Sequence, residues 1–275
     1  MIDVEGFYDF KRIPFGRDIP VEYLYKGNDG DELIDRLKYA AHRHLFAVVT
    51  GDSGTGKSTI LRRFTGELKD SPYKPLYITD SKLSPRAFYK ELLNQLGLEA
   101  HFFRESAKSQ LHREILKLKE VFGITPLVIV DEAHLLDRIM LEEVRFLLNC
   151  DMDSMSPMTL ILSGQSELWD NLIYKSCTAI RQRIDVQCVI NKLDRRQTAD
   201  YINAHMIYAA RDTEIFSDSA VDEIFRFSAG VCRLINKCCT CCLMFGAQNR
   251  KTIIDDRTVK LVIDCELDPK VGSHS

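Results

Sequence analysis

The chain holds 275 residues, 45% of them hydrophobic and 28% charged, with a net charge of −3. That size suits one α/β domain with a smaller appendage, and the composition supports a buried core while arguing against a globally basic nucleic-acid coat. No stretch approaches the roughly 18 apolar residues that span a bilayer. The acidic start MIDVEGFYDF lacks the positive segment of a secretory signal. The expectation is a cytoplasmic protein with no membrane partner, in which the nine cysteines are reduced thiols.

Along the chain, helix and strand patterns alternate. Asp29 to His44 predicts a helix leading into a strand over Leu45–Thr50. Gly51-Asp52-Ser53-Gly54-Thr55-Gly56-Lys57-Ser58 follows and matches G-x-x-x-x-G-K-[ST] in a strand-loop-helix setting. Its glycines let backbone N–H groups curl around phosphate oxygens, and the next helix directs its positive end at them. Lys57 is placed to reach the β- and γ-phosphates and Ser58 to ligate Mg²⁺, with Thr59 beside it among the nucleotide contacts. The motif predicts binding of a nucleoside triphosphate, ATP with Mg²⁺.

The pattern continues with a helix over Lys57–Leu68, a strand over Leu76–Thr79, and a helix to Leu96 opened by Ser84 as cap and Pro85 in its first turn. Ser106–Val121 is a further helix, with Leu111, Ile115 and Leu118 on one face. After the breaker Pro126, Leu127-Val128-Ile129-Val130 reads as a strand buried on both faces and ends in Asp131-Glu132. Asp131, at the strand's C-terminal end, is placed to hold magnesium through water. Glu132, 75 residues beyond Lys57, points elsewhere and is suited to polarise a water for attack on the γ-phosphate. Hydrolysis is therefore expected as well as binding.

A helix over Met140–Asn149 precedes the strand Thr159–Ser163. That strand ends in Ser163-Gly164-Gln165, setting Ser163 and Gln165 beside the acid-ended strand, where either could orient the attacking water. Arg181 and Arg183 come just before the strand reaching Ile190, on a face where a neighbouring subunit could dock. An arginine lent in trans can be worth about 10³-fold or more in rate. From Asn191 the pattern is all helical: Asp194 with Gln197 forms a capping-box signature for a helix to Ala210, followed by Asp218–Ser228, Val231–Phe245 and Asp255–Cys265. Arg233, in the first turns of one of these helices, could reach back to the γ-phosphate. The domain reading is an α/β domain over 1–190, a helical lid over 191–268 and a frayed tail over 269–275.

Between Ser81 and Lys119 there are eight Lys or Arg against four Asp or Glu, a local basic excess in an acidic chain. Lys82, Arg86, Arg104 and Lys108 fall near helix starts, where they could meet DNA phosphates without reading bases. The cysteines at 232, 238, 239, 241 and 242 follow a helical stripe with Val231, Leu234, Ile235 and Phe245, so they read as small core residues rather than a metal site. His134 reads as local packing or a phosphate sensor, and Leu168 with Trp169 as core.

The segments FYDFKRIPFGRDIPVEYLY, VVTGDSGTGKST, LVIVDEAHLL, LILSGQSELW, IRQRI and SAGVCRLINKCC resemble the AAA+ ATPases, and among them the ExeA-like group that includes the TniB/TnsC/MuB-type regulators of DNA transposition. The resemblance spans nearly the whole chain. It implies a P-loop AAA+ fold: a parallel five-stranded sheet sandwiched by helices, followed by a small helical lid, with an N-terminal segment in which Pro14 and Phe15 help form the adenine pocket. It assigns Gln165 or Ser163 as first sensor, Arg183 or Arg181 as arginine finger and Arg233 as second sensor; Gln165 departs from the usual Asn or Thr. It further implies a homo-oligomer, ring or helical filament, on double-stranded DNA, recruiting a transposase, with a target-selection protein as a further partner, and disassembling on hydrolysis. Two alternatives come with it. One is the ExeA-type secretion-assembly ATPase, which needs a membrane helix and a wall-binding domain that the residues to Ser275 do not contain; the other is a helicase loader.

Overall fold

The computed structural model describes residues 2–80, 82–147, 156–174, 177–210 and 214–267. It divides into two compact units, one formed by residues 28–52 and 57–190, the other by the chain up to Gly27, residues 53–56 and the chain from Asn191.

The first unit is an α/β layer structure. Five parallel strands, β1 (Phe46–Gly51), β2 (Tyr73–Ile78), β3 (Thr125–Val130), β4 (Thr159–Gly164) and β5 (Val186–Ile190), lie in the order β2-β3-β4-β1-β5. Every residue of β1, β3 and β4 is buried, whereas the edge strands β2 and β5 are only partly covered. Strand periodicity then sorts the apolar residues onto two faces. Phe46, Val48, Val128, Val130, Leu160 and Leu162 pack on one side with Phe88, Leu92, Leu111 and Val144. Ala47, Val49, Leu127, Ile129 and Ile161 pack on the other with Ile34, Leu37, Leu61 and Phe64. Burial on both faces is what a continuous β-branched run demands, and it places the strand ends together at one edge of the sheet.

Preceded by the short helix α1 (Val4–Tyr8), which belongs to the second unit, the helices of this unit are α2 (Asn28–His42), α3 (Lys57–Glu67), α4 (Pro85–Gln95), α5 (Arg104–Phe122), α6 (Arg138–Leu147), α7 (Ser166–Ile173) and α8 (Thr178–Arg181). Ser84 caps α4 by accepting the Ala87 N–H at 3.4 Å, with Pro85 in the first turn as expected. Several bounds differ from the sequence reading. Pro126 lies inside β3 rather than before it, and β2 starts at Tyr73 and contains Pro75. Proline is tolerated on the edge strand β2 and near the start of β3, where a missing N–H costs little. α7, α8 and α1 went unread because each is too short for an apolar pattern to repeat often enough to stand out. The last residues of the helix expected to reach Asn149 lie outside the described residues, as does the expected frayed tail.

The second unit is helical: α9 (Arg195–Tyr208), α10 (Asp218–Ser228), α11 (Cys232–Gln248) and α12 (Asp256–Val262). The capping box opens α9, with Asp194 Oδ1 accepting the Gln197 N–H at 2.7 Å and Gln197 Oε1 accepting the Asp194 N–H at 2.9 Å. Cys238, Cys239 and Cys242 are fully buried among Ile202, Met206, Ile224 and Ile235. Burial pushes the Cys239 thiol well above its ordinary pKa, which keeps it a protonated core residue. The N-terminal segment belongs to this unit. Tyr8, Phe10 and Phe15 bury in the helical core, the Tyr8 hydroxyl donates to the Lys251 carbonyl at 2.9 Å, and the Lys11 N–H donates to the Ala209 carbonyl at 3.1 Å. Nothing local in the sequence marks such long-range pairing.

His205 is a buried titratable group of this core. Its ring stacks on Phe15 at 4.7 Å between centroids, its Nδ1 accepts the Phe15 N–H at 3.1 Å, and burial pulls its pKa from 6.5 down to about 4. The folded protein therefore holds it neutral, while the unfolded chain takes up a proton near pH 6.5. Stability should be intact above that pH and fall as pH drops toward 4, by about 3 kcal/mol in total. Thermal melting of the wild type and His205→Gln, which keeps a hydrogen-bond acceptor, tests this. The variant should lose most of the slope between pH 6.5 and 4, and parallel profiles would rule His205 out as the source.

Candidate nucleotide site and basic surface

Asp131 organises the ends of the central strands. Its Oδ1 accepts the Ser163 hydroxyl at 2.8 Å and the Glu132 N–H at 2.9 Å, and its Oδ2 accepts the Tyr77 hydroxyl at 2.6 Å and the Ser58 hydroxyl at 3.1 Å. Burial pulls this carboxyl upward, but the hydrogen bonds from Tyr77, Ser163, the Glu132 amide and Ser58 outweigh it and hold the pKa below the usual carboxylate range. The group is an ionised carboxylate in a shielded place. Conversely, burial and the bond to Asp131 push the Tyr77 phenol upward, so it stays a donor.

The other predicted residues of this unit have their own partners. Lys57, only 7% exposed, donates its ammonium to the carbonyls of Gly51 at 2.7 Å and Asp52 at 2.9 Å. Ser58 and Thr59 are exposed at the start of α3, and Ser166 donates to Asp52 Oδ1 at 3.1 Å. Glu132 sits in the left-handed region at φ 50°, ψ 32°, which turns its side chain away from that of Asp131. Its Oε2 lies 3.5 Å from His134 Nδ1. The same imidazole faces Gln165, with His134 Nε2 3.1 Å from Gln165 Nε2 and Nδ1 3.4 Å from the Gln165 N–H. His134 thus links Glu132 to Gln165, a connection that its packing reading missed. Ser163, fully buried on Asp131, is a support for that carboxylate. Arg181 ends α8 and donates to the Ile173 carbonyl at 3.2 Å, and Arg183, two residues on, is partly buried.

In the helical unit, the loop residues 53–56 meet the start of α11. The Arg233 N–H donates to the Gly54 carbonyl at 3.0 Å, its guanidinium lies 3.3 Å from the Ser53 hydroxyl, and Cys232 Sγ is 3.6 Å from the Thr55 carbonyl. Phe15 is 6% exposed, with its ring stacked on His205 and its N–H donated to the same imidazole.

The four basic candidates divide into two pairs. Arg104 and Lys108 both pair with Glu143, a buried carboxylate that also accepts the Tyr89 hydroxyl. Lys108 reaches it at 3.5 Å and lies 4.4 Å from the Phe146 ring centroid. Those two cations are thereby engaged in neutralising an internal charge. Lys82 and Arg86 are exposed, and the Arg86 guanidinium sits 4.5 Å over the ring of Phe102. Phe102 is 70% and Phe103 71% exposed, an aromatic pair that the sequence reading passed over.

A family model described as an AAA domain matches residues 40–172. General secretion pathway protein A of Aeromonas hydrophila is 27% identical over 238 residues, which is 85% of this chain and 43% of that protein. The chain thus spans less than half the length of this relative. Among solved structures, Cdc6p from Pyrobaculum aerophilum aligns with a TM-score of 0.67 at 16% identity, over 87% of this chain and 67% of that one. The Thermotoga maritima RuvB Holliday junction branch migration motor aligns at 0.61 and 16%, over 88% and 70%, and Drosophila ORC bound to DNA at 0.61 and 16%, over 94% and 64%. With the parallel sheet order and the phosphate loop, these agree on the fold. It is the P-loop AAA+ fold.

The phosphate-loop motif of this fold includes one close approach between the loop and α11. Gly54 has φ +82°, and a Cβ there would lie 2.9 Å from Arg233 Cβ and 3.0 Å from Val231 Cγ1. Gly54→Ala should therefore cost about 1–2 kcal/mol through left-handed strain, plus displacement of the α11 start. A lowered melting temperature with weaker nucleotide binding is expected; a variant that melts and binds like the wild type would show that the contact gives way freely.

Proposed function

We propose that this protein is an ATP-dependent DNA-binding regulator of transposition, which oligomerises on duplex DNA, recruits a transposase and leaves the DNA when ATP is hydrolysed. The exposed cation-aromatic surface of Lys82, Arg86, Phe102 and Phe103 is the observation that carries the DNA part. Cations attract phosphates without reading sequence, and exposed rings offer stacking or wedge contacts to bases. The transposase, a target-selection protein and the ring or filament rest on the resemblance of the motif set. For the secretion-assembly reading, the relation to General secretion pathway protein A counts in favour. That reading requires no duplex DNA, which separates the two.

For catalysis, Ser58 and Asp131 are assigned to Mg²⁺, a hydroxyl and an ionised carboxylate being the hard oxygen donors this cation takes. When bound, the ion would supply positive charge against the negative charge that develops on the phosphates. Lys57 is assigned to the β- and γ-phosphates, Gly51 to Thr59 to the phosphate cradle, Glu132 to the attacking water, Ser163 and Gln165 to orientation around it, and Arg233 to the γ-phosphate. Arg181 or Arg183 serves a neighbouring subunit. No helix among the described residues is long and apolar enough to cross a membrane.

Glu132→Gln should keep nucleotide binding and lower turnover by about 10²-fold or more, the share a positioned base contributes. Lys57→Ala should lose nucleotide affinity instead. Phosphate release and a fluorescent-nucleotide titration separate the two, and near-normal turnover of Glu132→Gln would remove it from its role.

For DNA, fluorescence anisotropy with a random-sequence duplex should show tight binding with ATP and weak binding with ADP, falling steeply with salt. Repetition of one modest patch along an oligomer supplies the affinity. Lys82→Ala with Arg86→Ala should reduce binding while basal hydrolysis persists. Equal binding with ATP and ADP at low salt would reject the transposition reading in favour of a loader or secretion ATPase.

A further inference from the structure

The Asp131 carboxylate is crowded. A carboxylate offers about four lone-pair positions, and the donors to this one include Tyr77, Ser58, Ser163 and the Glu132 amide. A metal-bound water must also donate a proton to this carboxylate if Asp131 holds the ion through water. One donor therefore has to give way.

The four are not equally able to do so. Ser163 is fully buried on β4, and the Glu132 N–H is part of the backbone. Ser58 can keep donating its proton to Oδ2 while turning a lone pair to the metal. Tyr77 lies on the edge strand β2 and is 36% exposed, so its phenol has solvent to move into. Its backbone is anchored independently: Gln95 Oε1 accepts the Tyr77 N–H at 2.8 Å, and Gln95 Nε2 donates to the Tyr77 carbonyl at 2.8 Å. This two-point clamp from the end of α4 satisfies backbone groups on the sheet edge that would otherwise face water. The ring can then leave by rotation about its side-chain torsions while the strand stays in register.

We propose that Tyr77 is a positioning residue for the metal site, holding Asp131 in place through its hydroxyl and surrendering Oδ2 to metal-bound water when Mg²⁺ and nucleotide load together. The inference deepens the metal assignment and rests on it; it is independent of the DNA reading. Tyr77 also competes with the ion, so its hydroxyl sets the magnesium concentration at which the site fills.

The test uses the full chain with ADP and Mn²⁺ as a paramagnetic stand-in, free Mn²⁺ being counted by electron paramagnetic resonance. Tyr77→Phe removes only the hydroxyl and should bind Mn²⁺ roughly tenfold more tightly than the wild type, the scale of one lost charge-assisted hydrogen bond. Affinity within twofold of wild type, or weaker, overturns the proposal. If the wild type itself shows no ADP-dependent Mn²⁺ site, the metal assignment falls first. The native hydroxyl is followed by placing 3-fluorotyrosine at position 77 alone. Its ¹⁹F resonance should shift when Mg²⁺ is added to the ADP-bound protein, and a resonance that stays in place also overturns the proposal.

Discussion

A single shielded carboxylate ties one edge of the sheet together. Asp131 stands at the C-terminal end of β3 and accepts hydrogen bonds from Tyr77 on β2, Ser163 on β4 and Ser58 on α3. A negative charge this far from water survives only with donors on most of its lone pairs. Those donors must come from neighbouring elements, so the charge obliges the ends of three strands and the start of a helix to meet at one level. The strand order makes this possible, because β3 lies between β2 and β4. A sheet of the same strands in another order would leave the carboxylate underpartnered and would separate it from Ser58.

Around that charge, polar contacts are distributed so that each reactive group is held by something other than the group it serves. Lys57 is tethered by the carbonyls of Gly51 and Asp52, Glu132 is turned aside by its own left-handed backbone, and His134 spans from Glu132 to Gln165. Glu132 is about half exposed while Asp131 is 6% exposed. Adjacent acids in one chain thus occupy different dielectric surroundings. Such contrast is how two like groups take different tasks.

The helical unit is built on a different principle. Its core is a mixture of aromatic rings from the N-terminal segment and small thiols from α11, with Tyr8, Phe10 and Phe15 filling volume that Cys238, Cys239 and Cys242 leave. Small side chains on a helix admit large ones from elsewhere at interior packing density. The price is a histidine held neutral far below its ordinary pKa, since the Phe15 amide needs a buried acceptor. On the α/β unit the opposite occurs at Glu143, where Arg104 and Lys108 are drawn from the surface to balance a carboxylate. A basic count along a sequence cannot tell a cation offered to a ligand from one consumed inside the fold.

The sequence by itself determined the phosphate loop, the acid-ended strand, the Asp194 capping box, the cap at Ser84 and the class of the fold. Each of these is local: a glycine spacing, a β-branched run or a cap is written in a few consecutive residues whose physics does not depend on distant partners. Short elements such as α7 and α8 hold too few turns for an apolar pattern to repeat often enough to stand out. Tertiary structure alone decided the rest. It brought Tyr77 onto Asp131 across 54 residues, paired Arg104 with Glu143 across 39, and set Phe15 against His205 across 190. Hydrogen bonds and ion pairs at such separations follow from which strands neighbour each other and which surfaces bury, and no local pattern encodes that choice.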